Sequence, residues 1–406
     1  MQKRTAIFTG GGTGGHIYPN LALIPDFEKL GFLPLYVGGE GDTMEKRLAK
    51  QFSIPYKAVP VIKFKRGASF DALKNNLKIP IALKRGIDEA RKVVRDSSPS
   101  FVFSKGGFVS LPVVIAAAKE GVPVFAHESD RTLGLANRIA RAYGATILRG
   151  NPTSVFDGID VGIPLRKELF DGDKTSARQR LGISTKKTVL LLIGGSSGAT
   201  AINDFAKRNL ARLTSKFFVL HLTGKGKSER LKAQDYLPFE YADEIKDFYH
   251  ASDVVVSRAG ATAVAEISAL KKRAVFVPLP KGASRGDQIY NADLAKNFGA
   301  EVVLQTDEKT FFDNLLHAID KAAKNPPMRP VSNDANGKIL RIVCDRIGAQ
   351  VDYAKTKNNG KMACGGSAAY GGGGVLRDSF KRPEKRDERK VYGGDEQARR
   401  NNPSKS

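Results

Sequence analysis

Tryptophan is absent from this chain, and methionine (4), histidine (5) and cysteine (2) are scarce in its 406 residues. Cys344 and Cys364 supply neither a disulfide framework nor the paired spacing of a metal cluster, so a reducing compartment suits the protein. No stretch reaches the ~18–20 uninterrupted apolar residues that a spanning helix needs. The N-terminus enters a strand-like run directly, without the apolar core and cleavage site of a secretory signal, which makes the cytosol the expected compartment. Acidic residues are also short beside basic ones, 42 against 66, for a formal net charge of +24. Such an excess asks for an anionic partner: nucleic acid, a membrane face or a phosphorylated substrate. No helix-turn-helix, RNA-recognition or zinc-finger pattern accompanies the charge, so nucleic acid is not expected.

The length suits two domains and a tail, since single cores rarely grow past ~250–300 residues. Short, continuously apolar runs alternate with longer helical patterns: Ala6–Gly10, Leu35–Gly38, Phe101–Ser104, Pro123–His127 and Thr146–Leu148, then Val189–Ile193, Phe217–Leu222, Val254–Ser257 and Ala274–Pro278. Continuous rather than alternating hydrophobicity argues for parallel strands buried on both faces. The expected fold class is therefore α/β, with two Rossmann-like, doubly wound parallel-sheet domains over 1–160 and 188–348. Residues 161–187 read as the connector. Residues 349–406 are rich in glycine and charge and poor in apolar side chains, which predicts a disordered tail.

A glycine-rich turn occurs twice, as Gly10-Gly11-Gly12-Thr13-Gly14-Gly15-His16 and as Gly194-Gly195-Ser196-Ser197-Gly198-Ala199. Each follows a β-branched apolar run and leads into a helical pattern. A strand that hands over to a helix through glycines aims backbone N–H groups and a positive dipole end at one spot, which suits phosphate. Gly10, Gly12 and Gly15 also satisfy the dinucleotide fingerprint, with Glu40 as its distal acid. The extra glycines, His16 and the second glycine-rich domain argue against that reading. His16 at a helix start is suited to staying neutral and accepting a proton. Ser104–Ser110 and His127-Glu128-Ser129-Asp130 both follow strands and should lie at the ligand-binding edge of the first sheet. Substrate contact and an internal hydrogen-bonded pair are both open for His127 and Glu128.

In the second half, Ser257-Arg258-Ala259-Gly260 begins a helix in which Glu266 could hold a ribose diol. Arg285-Gly286-Asp287-Gln288 and Asn291 offer carboxylate and amide groups for sugar hydroxyls. Arg258 or Arg166 could meet phosphate charge. Asp171-Gly172-Asp173 matches an Asp-x-Asp metal pattern but falls in the connector, so neither a metal nor a cofactor is expected. Lys63 to Arg95 mixes basic and apolar residues, as a peripheral contact with anionic lipid requires; an amphipathic helix packed on its own sheet would read the same way.

These motifs occur in one order: Gly10–His16, Phe103–Ser110, His127–Asp130 with Gly134–Asn137, Gly194–Ala199, Ser257–Ala261 with Glu266, and Ser284–Gln288 with Asn291. The ordered set resembles the MurG family of N-acetylglucosaminyltransferases over roughly residues 3–345. The resemblance implies a GT-B fold with two domains facing a cleft, a metal-independent inverting transfer, and a peripheral position on the cytoplasmic face of the membrane. It implies UDP-N-acetylglucosamine as donor and undecaprenyl-linked lipid I as acceptor.

Carried over by motif, Thr13, Gly14 and Gly15 would face the acceptor pyrophosphate, with Asn137 in the same half. His16, Asp130 and Glu128 are the catalytic candidates. Ser196, Ser197 and Gly198 would hold the UDP phosphates, Glu266 the ribose, Ile245 and Arg166 the uracil, and Asp287, Gln288 and Asn291 the sugar. Ser129-Asp130 stands where many members have Gln-Asn, and Ile163 stands where asparagine often precedes Pro164-Leu165-Arg166. A UDP-GlcNAc 2-epimerase-like enzyme of the same architecture is the alternative.

Overall fold

The computed structural model describes residues 4–62, 74, 76–195, 198–228, 231, 233–242, 244–280, 286–331 and 334–349. Two parallel sheets form the frame. The first runs in the order β3-β2-β1-β4-β5-β6-β7, from β1 (Arg4–Thr9), β2 (Phe32–Gly39), β3 (Tyr56–Val59), β4 (Phe101–Ser104), β5 (Val124–Glu128), β6 (Thr146–Arg149) and β7 (Ile159–Asp160). The second runs β10-β9-β8-β11-β12-β13, from β8 (Thr188–Ile193), β9 (Phe217–Leu222), β10 (Tyr236–Phe239), β11 (Val254–Ser257), β12 (Arg273–Phe276) and β13 (Glu301–Val302). The expected α/β class with two doubly wound sheets is the observed one.

The central strands carry the apolar runs because both their faces are covered. β1, β4 and β5 bury Phe8, Phe101, Phe103 and Phe125 on one side and Ile7, Val102, Val124 and Ala126 on the other. β8 divides Leu191 and Ile193 from Leu190 and Leu192 in the same way. Strands β3, β7, β10 and β13, which no apolar run announced, are all outer or next-to-outer in their sheets, and their residues are largely half-exposed. A strand with a free edge does not need the continuous hydrophobicity that marks a central one.

Each sheet has a point where strand order reverses direction: between β1 and β4 in the first, between β8 and β11 in the second. Loops at such points splay apart and leave a crevice at the carboxyl ends of the strands. Both glycine turns leave from these points.

Sequence order and packing part company in two places. The expected connector, 161–187, holds helix Lys174–Arg180, which packs on the second sheet's core through Ala177 and pairs Arg180 with Asp247 at 2.8 and 2.5 Å. Its Asp-x-Asp pattern has a local role, since Asp173 caps that helix by accepting from the N–H groups of Thr175 (2.9 Å) and Ser176 (3.0 Å). The last helix, Ala335–Arg346, falls in the span expected for the second domain, yet Ile339, Leu340, Val343 and Cys344 pack in the core of the first sheet. The expected tail lies outside the described residues, apart from Ala349.

Candidate active site

A cavity of about 580 Å³ opens where the two switch points meet. Thr13, Gly14, Gly15, His16, Lys105, Glu128, Ser129 and Asp130 line it from the first sheet. Ile193, Gly195, Ile245, Glu266, Asp287, Gln288 and Asn291 line it from the second. Arg166 and the tyrosines at 18, 241 and 249 are also part of the wall.

The first turn has the shape glycine allows. Gly10 and Gly12 have φ of 143° and 82°, and a Cβ at Gly10 would sit 2.8 Å from the His16 carbonyl oxygen. Tyr36 donates from its hydroxyl to Gly10 O at 2.7 Å, and Asn20 donates to Thr9 O at 3.0 Å. Helix Gly14–Lys29 then begins at Thr13, whose side chain does not cap it. Gly14, Gly15 and His16 of its first turn line the cavity, with no side-chain acceptor at the cap. Glu40, the distal acid of a dinucleotide site, is exposed. Buried Glu45 instead accepts from the N–H groups of Gly12 and Gly39, at 3.4 and 3.3 Å.

His16 sits in the first turn of this helix with Nδ1 3.1 Å from Gly11 O. The Thr13 hydroxyl lies 3.3 Å from the same nitrogen; donation from Nδ1 to the Gly11 carbonyl, which can only accept, leaves Nε2 of the neutral ring as the acceptor. That tautomer is the one a proton acceptor needs.

Glu128, a catalytic candidate from the sequence, lines the cavity and shapes the loop that follows it. Its Oε1 accepts from Asp130 N at 3.2 Å, while Oε2 accepts from Gly134 N at 2.9 Å and Asn137 Nδ2 at 3.0 Å. With both oxygens engaged in shaping the 128–134 loop, Glu128 is a positioning residue. Asn137 does not reach the cavity wall; it donates to Glu128 and to His127 O, and so braces the loop from below. His127 is not Glu128's partner. Its Nε2 donates to Gly162 O at 2.8 Å, and burial drives its pKa well below the ordinary range, keeping it neutral.

Lys105 has no place among the expected site residues, though the Ser104–Ser110 segment does. It is 3% exposed, donates from Nζ to Ser129 Oγ at 2.8 Å, and lines the cavity. Burial lowers its pKa against the opposing pull of Glu128 and Asp130. A lysine directly after a buried strand was the available signal.

In the second half, Ser196 and Ser197 lie outside the described residues. Their neighbour Gly198 has φ of 69°, and a Cβ there would fall 2.0 Å from Thr223 O, so only glycine fits; it is not part of the cavity wall. Helix Thr200–Arg208 begins at Ala199, which offers no side-chain cap. Gly195 faces the cavity just ahead of it.

Glu266 accepts from the Tyr249 hydroxyl at 3.1 Å, and burial raises its pKa while the Arg166 guanidinium opposes the rise. Arg166 stacks on Tyr18 at 4.6 Å from the ring centroid, and its buried Nε has no hydrogen-bond partner among the described residues. Arg258 turns away from the cavity: NH1 donates to Gln305 Oε1 at 2.5 Å and to Val277 O at 3.1 Å. The phosphate contact expected of it does not fit this placement, because strand-end carbonyls have captured the guanidinium.

Two of the three expected sugar-binding residues, Asp287 and Asn291, also fasten the halves together. Asp287 accepts from the Thr132 hydroxyl at 3.0 Å, and Asn291 accepts from Asn151 at 3.3 Å while donating to Ala259 O at 3.2 Å. Gln288 uses its carbonyl oxygen for Leu279 N at 3.0 Å, which leaves the amide nitrogen as a donor. The tyrosines at 18, 241 and 249 escaped sequence reasoning. A single aromatic in a helix or loop carries no sign of the partner it will meet, and Tyr18 OH meets Tyr241 OH at 3.3 Å from 223 positions away.

Two parallel-sheet domains whose switch points meet over one cavity are the frame of a GT-B glycosyltransferase. The solved structure of Acinetobacter baumannii MurG superposes with a TM-score of 0.62 at 22% identity, covering 84% of this chain and 99% of that one. A putative UDP-N-acetylglucosamine 2-epimerase from Listeria monocytogenes matches at 0.61 and 12% identity, covering 86% and 98%. Likeness at these identities establishes the fold.

Residues 6–148 match the glycosyltransferase family 28 N-terminal domain, and residues 189–341 the family's C-terminal domain. A Clostridium tetani UDP-N-acetylglucosamine–N-acetylmuramyl-(pentapeptide) pyrophosphoryl-undecaprenol N-acetylglucosamine transferase is 39% identical over 333 residues, 79% of this chain and 92% of that protein. A Clostridium botulinum (strain Alaska E43) protein of the same name is 39% identical over 349 residues, 83% and 95% of the two chains. The chain belongs to glycosyltransferase family 28, in the MurG branch that these relatives represent.

Proposed function

We propose that the protein transfers N-acetylglucosamine from UDP-GlcNAc to the 4-hydroxyl of N-acetylmuramic acid in lipid I, with inversion at the anomeric carbon, to give lipid II. The observation that carries this reading is the 39% identity, over 92% of its length, to a relative named for that transfer. The cavity supports it by offering a phosphate-binding turn from each sheet and a candidate base between them.

In this reaction the acceptor oxygen attacks C1 of the donor sugar as the bond from C1 to the UDP oxygen breaks. The hydroxyl proton passes to His16 Nε2, whose tautomer the Gly11 carbonyl selects. Asp130 lines the same wall and stands as the second candidate for that role. The departing diphosphate gathers charge at the N–H groups that open helix Thr200–Arg208, where the cap residue Ala199 offers no side-chain acceptor. Glu266 is assigned the ribose hydroxyls, Ile245 and Arg166 the uracil side, and Asp287, Gln288 and Asn291 the GlcNAc hydroxyls. The hydrogen bonds that Asp287 and Asn291 receive from Thr132 and Asn151 tie donor recognition to closure of the cleft.

A peripheral site on the cytoplasmic membrane face follows from a lipid-linked acceptor. No helix among the described residues is long and apolar enough to cross a membrane. Helix Ile79–Ser97 buries Gly86, Ala90 and Val94 against its own sheet and leaves Leu77 and Ile81 exposed beside Lys74, Lys78, Lys84 and Arg85. Much of the basic stretch ahead of it, 63–73, lies outside the described residues.

The test is UDP release from UDP-GlcNAc with and without a lipid I analogue, in EDTA, followed by mass analysis of the lipid. Acceptor-dependent release with one HexNAc added supports the transferase. UDP-ManNAc formed from donor alone would instead favour the epimerase.

A further inference from the structure

The segment that leaves β12 is short of backbone donors. Pro278-Leu279-Pro280 carries two prolines, which have no N–H, so Leu279 holds the single N–H of the three. Gln288, in the first turn of helix Asp287–Asn297, accepts that N–H through Oε1 at 3.0 Å. A backbone N–H can only donate, so the amide keeps its oxygen on the backbone and turns Nε2 away from it. Gln288 lines the cavity, and Nε2 is the end of the amide left to meet a sugar hydroxyl.

Arg258 holds the start of the same segment. Its NH1 donates to Val277 O at 3.1 Å, to Pro278 O at 3.5 Å and to Gln305 Oε1 at 2.5 Å. Val277 is fully buried and lies one residue past the end of β12, where a carbonyl has left the strand ladder and needs a donor from elsewhere. Three neutral oxygens therefore converge on one guanidinium nitrogen, and burial lowers the pKa of the group. Neither Arg258 nor Gln305 is part of the cavity wall. What the arginine fixes is the pair of carbonyls directly ahead of the Leu279 N–H.

We propose that Arg258, braced by Gln305, is a positioning residue for recognition of the donor sugar: it fixes the carbonyls of Val277 and Pro278, so that the Leu279 N–H holds Gln288 with its amide nitrogen towards the sugar. This rests on the transferase reading above, in which Gln288 meets a GlcNAc hydroxyl. The relay runs from Gln305 through Arg258 and Leu279 to Gln288, and it joins the segments that follow β13, β11 and β12 to the helix that carries the sugar contacts. It gives Arg258 a part in holding the sugar and none at the diphosphate.

The experiment measures, by calorimetry on the purified full chain without acceptor, the affinity for UDP-GlcNAc and for UDP; the ratio of the two isolates the sugar. Gln288→Ala sets the reference and is expected to lower the ratio by roughly two- to tenfold, the effect of one neutral hydrogen bond. Arg258→Met should lower it by a similar factor while UDP affinity stays within about twofold. Gln305→Ala should lower it less, and Gln305→Glu, which keeps an acceptor for the guanidinium, should preserve it. The decisive preparation is the double variant Arg258→Met with Gln288→Ala: a residue that acts through Gln288 adds no further loss once Gln288 is gone.

A ratio unchanged in Arg258→Met and Gln305→Ala, with Gln288→Ala lowering it, would overturn the relay. So would an equal loss for UDP and UDP-GlcNAc, which would put Arg258 on the nucleotide, and so would additive losses in the double variant. If Arg258→Met gives no cooperative melting transition, Gln305→Ala combined with Gln288→Ala makes the same comparison. A ratio unmoved by Gln288→Ala would overturn the assignment of the sugar to Gln288, and the proposal with it. Failure of the transferase reading shows separately, as absence of acceptor-dependent UDP release by the wild type.

Discussion

At the scale of single residues, the cavity separates groups that do chemistry from groups that hold them. His16 has one ring nitrogen committed to a backbone carbonyl, so substituting it should affect proton transfer more than binding. His16→Gln is expected to lower kcat by ~10²–10⁴-fold while UDP affinity, read by calorimetry, stays within about twofold. An unaltered kcat would remove it from the reaction. Glu266 combines a functional and a stability effect. Burial raises its folded pKa above the ordinary 4.5, so its contribution to stability is present in full below about pH 4.5 and is lost as pH rises through the raised value. Glu266→Gln should therefore melt higher than wild type at pH 7–8, with the gap closing as pH approaches 4. The same substitution should weaken UDP binding by about tenfold through loss of a charged acceptor for the ribose. Equal melting temperatures at both pH values would contradict the desolvation argument.

At the scale of elements, close backbone approach and charge clamps decide what can change. The turn after β8 admits only glycine at 198, where a Cβ would lie 2.0 Å from Thr223 O and φ is 69°. Gly198→Ala should cost ~1–3 kcal/mol in urea unfolding and displace the start of helix Thr200–Arg208, with weaker UDP binding as the functional readout. On the other sheet, Glu120 receives Arg91 at 2.6 Å and Arg95 at 2.9 Å, which clamps helix Ile79–Ser97 to the end of helix Leu111–Lys119. The two guanidiniums hold its carboxyl down at about 2. Its stabilising effect is accordingly complete above the ordinary carboxylate pKa and fades as pH falls towards 2. Glu120→Gln should lower the melting temperature at pH 7 and make little difference near pH 2; the comparison of the two melts at both pH values checks it.

At the scale of the whole molecule, the last helix joins what the chain order keeps apart. Helix Ala335–Arg346 follows the second sheet but puts Ile339, Leu340 and Val343 into the first sheet's core, and Asn336 donates to Ala22 O at 2.9 Å and Leu165 O at 3.2 Å. Lys167 pairs with Asp26 at the same crossing. Ile339→Ala, at a site with no exposure, should cost ~2–5 kcal/mol and lower kcat as well, since the crossing holds the two walls of the cavity in register. Stability measured by urea unfolding and turnover measured on the same preparation would test both; a stability loss with unchanged turnover would detach the crossing from function.

The amino-acid sequence by itself determined the two sheets, because a central parallel strand must be apolar on both faces and says so in an unbroken run such as Val189–Ile193. It also determined both glycine turns, since a reversal through positive φ beside another backbone leaves glycine as the residue that fits. The edge strands were invisible because half-exposure removes the run that would mark them. Only the tertiary structure decided which polar groups reach the cavity. Arg258 and Asn137 sit in motifs that promise ligand contact, but carbonyls and a carboxylate in their surroundings had already engaged one guanidinium nitrogen of Arg258 and the amide nitrogen of Asn137. Tyr18 and Tyr241 entered the site without any local sign. The physical reason is that hydrophobic periodicity and turn chemistry are short-range, set within a few residues of chain. A side chain's direction is settled by hydrogen-bond competition among groups that folding brings together from hundreds of residues apart, as the contact of Tyr18 with Tyr241 illustrates.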